Sequence, residues 1–243
     1  MSTHEKENRY VAYFDMLGFK TATRRNPTKA WQALKSLRES MDKILRLGVY
    51  LTERKIYIKN PVQLFILADS VLMFTFKDTA DDLTAILGLS SELHTQALHR
   101  CVAIRGGVAH GEFFYNLEQH LFGGEPFVRA YELEKCAQWS GIVVDESVAT
   151  HYKNSPTSLK CPDESPVIIP WNVRLKNGGT QEINVLNWVE PHRQNFNKNP
   201  PISVPDFYLG FTGLFGSFDT LDRDAQSKYE NTVEFINYCL TRR

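Results

Sequence analysis

The chain has 243 residues, 42% hydrophobic and 23% charged, proportions that describe one large folded domain and exclude overall disorder. Its 28 Lys and Arg balance 28 Asp and Glu, and without a basic excess a small ligand or a protein suits it better as partner than a nucleic acid. Cys101, Cys136, Cys161 and Cys239 form no C-x-x-C pair, and no stretch approaches the roughly 20 apolar residues that span a bilayer, so a cytoplasmic chain with reduced thiols and no membrane partner is expected.

Arg9 to Phe14 reads as a buried strand. A helix starts at Asn26-Pro27-Thr28 and runs to about Leu47, with Trp31, Leu34, Leu37, Met41, Ile44 and Leu45 as its core side. Lys55 to Ile58 and Gln63 to Leu67 read as two strands joined at Asn60-Pro61, and Val71 to Phe76 as a third. A helix over Ala80 to Leu98 leads to a strand from Cys101 to Val108, a helix over Glu125 to Gln138 and a strand from Gly141 to Val144. The order predicts an α+β fold with helices on one face of a mainly antiparallel sheet.

After Thr150 the texture changes. Pro156, Pro162, Pro166 and Pro170 mark loop, and Val173 to Val189 reads as a hairpin around Asn177-Gly178-Gly179. Asn195 to Pro205 is rich in Asn and Pro. Tyr229, Val233, Ile236 and Leu240 make one stripe of a final helix. Residues 1–150 are therefore expected to form the core, and residues 151–243 an extension packed on it.

Four features carry chemistry. Asp15 ends an apolar strand and is followed by Met16-Leu17-Gly18-Phe19, which suits a metal ion bridging a phosphate; an Asp capping the turn is the plain alternative. Asp69 is flanked by apolar runs, where an ionised carboxylate needs a cation or donors; a turn Asp is the alternative. If the two strand ends are neighbours, the pair could clamp two divalent cations. In Arg105 to Gly111 three glycines weaken a strand and point to close approach of a backbone or ligand, or to a bulge. Phe122-Gly123-Gly124 enters a helix whose first amides could hold phosphate, without the spacing of a P-loop or dinucleotide fingerprint.

In this order the four features resemble a class III nucleotide cyclase catalytic domain, from Tyr10 to about Ala149. The resemblance implies a ferredoxin-like βαββαβ core and two divalent cations, Mn2+ or Mg2+, held by Asp15, Asp69 and the Met16 carbonyl. It sets Gly18 and Phe19 against the triphosphate and implies a homodimer with sites at the interface. Val128 stands where that family has a transition-state Asn and Glu132 where it has an Arg, so Arg129 is the expected substitute and Arg105 the other basic residue near the triphosphate. Phe65 occupies the position that reads purines and, with Tyr50, narrows the base pocket.

These departures resemble the Pycsar pyrimidine cyclases. They imply conversion of UTP, or CTP, to a cyclic monophosphate that signals phage infection to a separate effector. A cyclase-like domain that binds nucleotide without turnover, a purine cyclase, and a diguanylate-forming palm are the alternatives. The last lacks its G-G-[DE]-[DE]-F turn, since Leu67-Ala68-Asp69-Ser70 stands there.

Overall fold

A computed structural model describes residues 6–51, 56–155, 159–196 and 200–242. The first strand, β1 (Glu7–Met16), is central because its apolar run is buried on both faces. It pairs antiparallel with β5 (Ser70–Thr75) on one side and β6 (Ile104–Asn116) on the other. The hairpin partner β4 (Val62–Leu67) closes one edge. Beyond β6 lie β8 (Ile142–Val144), parallel to it, then β10 (Thr180–Leu186) and the edge strand β9 (Ile168–Arg174), and β7 (Leu121–Gly124) pairs with β6. The fold is α+β, as expected.

Along β1 the side chains alternate between two cores. Tyr10, Ala12, Phe14 and Met16 meet α2 (Pro27–Leu47) and α3 (Ala80–His99), and α5 (Glu146–Asn154) adds Val148 to the same core. On the other face Tyr13 meets Phe127 and Tyr131 of α4 (Glu125–Cys136), with ring centroids 5.7 and 5.4 Å apart. Helices thus cover both faces, not one. Gly107 makes this possible, since a Cβ there would stand 2.2 Å from the Ala130 carbonyl oxygen. Gly107 thus answers to a helix backbone, while Gly106 makes room for the Phe14 ring of β1.

Other expectations change on packing grounds. The α2 stripe holds at Leu37, Met41 and Leu45, but Trp31 is 64% exposed, because at the helix start Ala30 takes the inward place. The strand after Asn60-Pro61 joins the main sheet, whereas β3 (Ile56–Ile58) pairs with β2 (Val49–Leu51) in a separate ribbon; Lys55 lies outside the described residues. Pro170 sits inside β9, tolerated because that strand is an edge and loses no ladder bond there. Pro156 also falls outside the described residues, as do 197–199 within the Asn/Pro-rich stretch and Arg243 at the end.

The residues after 150 share the sheet and both cores. The short helices α6 (Val204–Tyr208) and α7 (Thr212–Phe215) and the turn between them place Tyr208, Phe211, Leu214 and Phe215 in the core that holds Leu17 and Ala22, the latter from α1 (Phe19–Arg25). The last helix, α8 (Arg223–Thr241), buries Tyr229, Val233, Ile236 and Leu240 as its stripe predicts, and Phe235 packs edge-on to Trp139. All four cysteines are free. Among the described residues no helix is long and apolar enough to cross a membrane.

Candidate active site

Asp15 and Asp69 come together at one end of the sheet. Asp15 pairs in register with Ser70, the first residue of β5, and the Met16 amide donates to the Asp69 carbonyl at 2.8 Å. The β4–β5 hairpin turns tightly through Ala68, whose φ of 54° is left-handed, and so sets Asp69 beside the end of β1. Tyr13 and Ser70 share a hydrogen bond of 2.7 Å on the face where Asp15 points. Neither carboxylate reads as a helix cap: α1 begins at Gly18, in the left-handed region at φ 70°, without a side-chain cap.

The charge balance at Asp15 is unfavourable without a cation. Burial pushes its carboxyl above the usual carboxylate range; Arg105 pulls it down, Asp69 pushes it up again, and Lys228 pulls it down. Two partly covered carboxylates that repel one another fit a hard divalent cation, whose preferred donors are oxygens. Among the described residues no group of three or more His, Cys, Asp or Glu stands where it could hold a metal. Asp15 and Asp69 are the two carboxylates that stand together at this end of the sheet.

Arg105 faces Asp15 across the β1–β6 ladder, with Nη2 3.6 Å from Asp15 Oδ2. Its Nε pairs closely with Glu134 of α4, and Nη1 donates to the Ala137 carbonyl at 3.2 Å. Burial raises Glu134 to about 7 despite the opposing pull of Arg105. Arg105 is thus an internal anchor for Asp15 as well as a cation near it.

The remaining predicted site residues are more dispersed. Arg129 lies toward the other end of α4, donating to Asp145 Oδ1 at 2.9 Å and to the His110 carbonyl. Val128 is 48% exposed on the same helix. Phe65 belongs to an aromatic cluster with Phe74 and Phe122, its centroid 4.7 Å from Phe122. Tyr50 lies on the separate ribbon, 4.9 Å from the Tyr57 ring. The Gly18 backbone is open at the turn, while Phe19 leans into the core.

Two features were not read from the sequence. Glu134 as the buried partner of Arg105 had a faint signal, an acid on the inward side of a helix. The approach of the chain's end had none: Phe215 lies 3.1 Å from where a Cβ on Gly18 would stand, and Arg25 Nη1 donates to the Phe215 carbonyl at 3.0 Å.

No protein-family model and no curated protein matches this chain. Among solved structures it is similar to the catalytic core of a rhodopsin-guanylyl cyclase with converted specificity, in complex with ATPαS. That match has 18% identity and a TM-score of 0.52 over 74% of this chain and 95% of that one. It is also similar to the adenylyl cyclase CyaB from Pseudomonas aeruginosa, with 13% identity and a TM-score of 0.54 over 76% of this chain and 95% of that one. At such identities what is shared is the fold: the chain has the fold of a class III nucleotide cyclase catalytic core.

Proposed function

We propose that the protein is a pyrimidine nucleotide cyclase, converting UTP, or else CTP, to the 3′,5′-cyclic monophosphate and pyrophosphate. The observation that carries this reading is the adjacency of Asp15 and Asp69 at the strand ends of a cyclase-type sheet. The ribose 3′-oxygen forms a bond to the α-phosphorus, the bond from that phosphorus to the bridging oxygen breaks, and the hydroxyl proton passes to solvent. No protein nucleophile is required.

Asp15, Asp69 and the Met16 carbonyl would hold two divalent cations, Mn2+ or Mg2+, whose charge would acidify the hydroxyl and neutralise phosphate charge. The protein's own groups do the positioning. The Arg105–Glu134 pair keeps Asp15 in place, and the open backbone turn at Gly18 and Phe19 admits the triphosphate. Arg129, far from Asp15 within one chain, serves the site of the other chain in a homodimer. The apolar side chains around Phe65 and Phe122, together with the exposed Leu67 of β4 and Val128 of α4, supply the face for that dimer. Phe65 offers no polar atom to read a purine edge, which supports the smaller base, and Tyr50 narrows the pocket further.

In this reading residues 1–150 are the catalytic core and residues 151–243 its extension. The product acts as a signal in antiphage defence, read by a separate effector. The test is incubation of the full chain with Mn2+ and each of the four ribonucleoside triphosphates, with products identified by mass spectrometry. Cyclic UMP or cyclic CMP is the expected result. A cyclic purine nucleotide would overturn the base assignment, and triphosphate binding without any product would make the protein a nucleotide-binding module.

A further inference from the structure

We propose that Tyr13, acting through Ser70, is a positioning residue of the Asp15–Asp69 site: its hydroxyl fastens the hairpin turn that carries Asp69 to β1. The two carboxylates are then set side by side before a cation arrives. The proposal rests on the nucleotide reading above and adds to it how the second carboxylate is kept in place.

The turn needs such a hold. Leu67 pairs with Ser70 in the β4–β5 ladder, which leaves Ala68 and Asp69 as a two-residue loop at the tip of a hairpin. Ala68 lies in the left-handed region at φ 54°, a conformation that a residue with a Cβ adopts at a cost. Among the described residues no hydrogen bond or ion pair holds the Asp69 carboxylate. Its link to β1 is a main-chain one, the Met16 amide donating to its carbonyl at 2.8 Å. Two carboxylates brought together repel one another, and that repulsion acts to swing an untied turn away from Asp15.

Tyr13 supplies the tie. Asp15 stands opposite Ser70 in the β1–β5 ladder and Tyr13 stands opposite Leu72. Tyr13 and Ser70 are therefore diagonal neighbours on the face that carries the Asp15 side chain. Their hydroxyls meet at 2.7 Å, one residue from Asp69 along the chain. The Tyr13 ring is itself wedged, with Phe127 and Tyr131 of α4 edge-on to it at centroid distances of 5.7 and 5.4 Å. The hairpin tip is thus fastened to a ring that a helix holds. On this face the facing rows are Val11, Tyr13 and Asp15 along β1 and Phe74, Leu72 and Ser70 along β5. They are apolar as far as the Tyr13 ring and polar beyond it. Among aromatic neighbours a phenylalanine would pack as well as a tyrosine, so the hydroxyl serves the hairpin rather than the core.

The experiment compares the full-length protein with Tyr13→Phe, Ser70→Ala, Ser70→Thr and the double variant Tyr13→Phe/Ser70→Ala. One readout is hydrogen exchange at the Met16 amide in metal-free protein, since that amide donates to the Asp69 carbonyl. The other is Mn2+ affinity by calorimetry with tripolyphosphate present. Tyr13→Phe and Ser70→Ala should each speed exchange at Met16 at least about fivefold, with exchange at Val143 of β8 unchanged. Each should weaken Mn2+ binding about tenfold. The double variant should be no worse than either single one, and Ser70→Thr, which keeps a hydroxyl, should stay near the unaltered protein. Exchange or Mn2+ affinity within about twofold in both single variants, or losses that add in the double variant, would overturn the proposal and leave the pair a packing contact. An unaltered protein that binds no Mn2+ would instead count against the metal reading of the two carboxylates, and exchange at Met16 would still decide whether Tyr13 holds the turn.

Discussion

Arg105 stands opposite Asp15 in the β1–β6 ladder, with its guanidinium shared between that carboxylate, 3.6 Å away, and the buried Glu134. The arrangement ties Asp15 to α4, the helix that covers this face of the sheet. Removing one member leaves an ion in a covered site without its counter-charge. Arg105→Met is therefore expected to cost about 3–5 kcal/mol of stability. The double variant Arg105→Met/Glu134→Met should recover most of it. Urea unfolding of the single and double variants checks this, and a single variant as stable as the unaltered protein would contradict it.

Glu134 also makes stability depend on pH. Burial raises its folded value to about 7 from an ordinary 4.5, so between those values the folded chain binds the proton more tightly than the unfolded one. The stability this group contributes is full below about 4.5 and lost as pH rises through 7. Glu134→Gln cannot ionise. The difference in melting temperature, variant minus unaltered protein, should move upward from pH 5 to pH 8. A difference that stays constant across that range would show that Glu134 does not titrate there.

The close approach of α4 to the sheet rests on Gly107. A methyl group there would meet a backbone carbonyl oxygen at 2.2 Å, which no side-chain rotation can relieve. Gly107→Ala should destabilise by about 1–3 kcal/mol. Gly123→Ala, with nothing within 4 Å of the added carbon, is the matched control and should change little. Chemical denaturation of both separates the two cases.

Leu67, two residues after Phe65 on β4, is 64% exposed, and Val128 on α4 is 48% exposed. If that face joins two chains, Leu67→Glu with Val128→Glu should halve the mass in light scattering. An unaltered protein that is monomeric at micromolar concentration would count against the paired site.

Much of this architecture was legible in the residues. The apolar run of β1, the periodic stripe of α8 and the turn residues of the β9–β10 hairpin each answer to local rules of spacing. Asp15 and Asp69 were legible as carboxylates at strand ends, and the structure makes those ends neighbours. What local rules could not supply was pairing at a distance. The ribbon of β2 and β3 is a tertiary choice, since the strand at Ile56–Ile58 had an equally good partner after Asn60-Pro61. Trp31 misled because neighbouring positions on a helix point about 100° apart, and at the start of α2 Ala30 rather than Trp31 faces the core. The commitment of Arg105 to Glu134, and the approach of Phe215 to the Gly18 turn, join segments far apart in the chain and leave no local trace.

The most direct test is the rate of pyrophosphate release with Mn2+ and the preferred triphosphate, comparing the unaltered protein with Asp15→Ala and Asp69→Ala. Each substitution removes a cation-holding carboxylate, and a loss of at least about a thousandfold is expected in both, equivalent to roughly 4 kcal/mol in the barrier. A rate within tenfold of the unaltered protein in either variant would contradict the pairing of Asp15 and Asp69 as the site of chemistry.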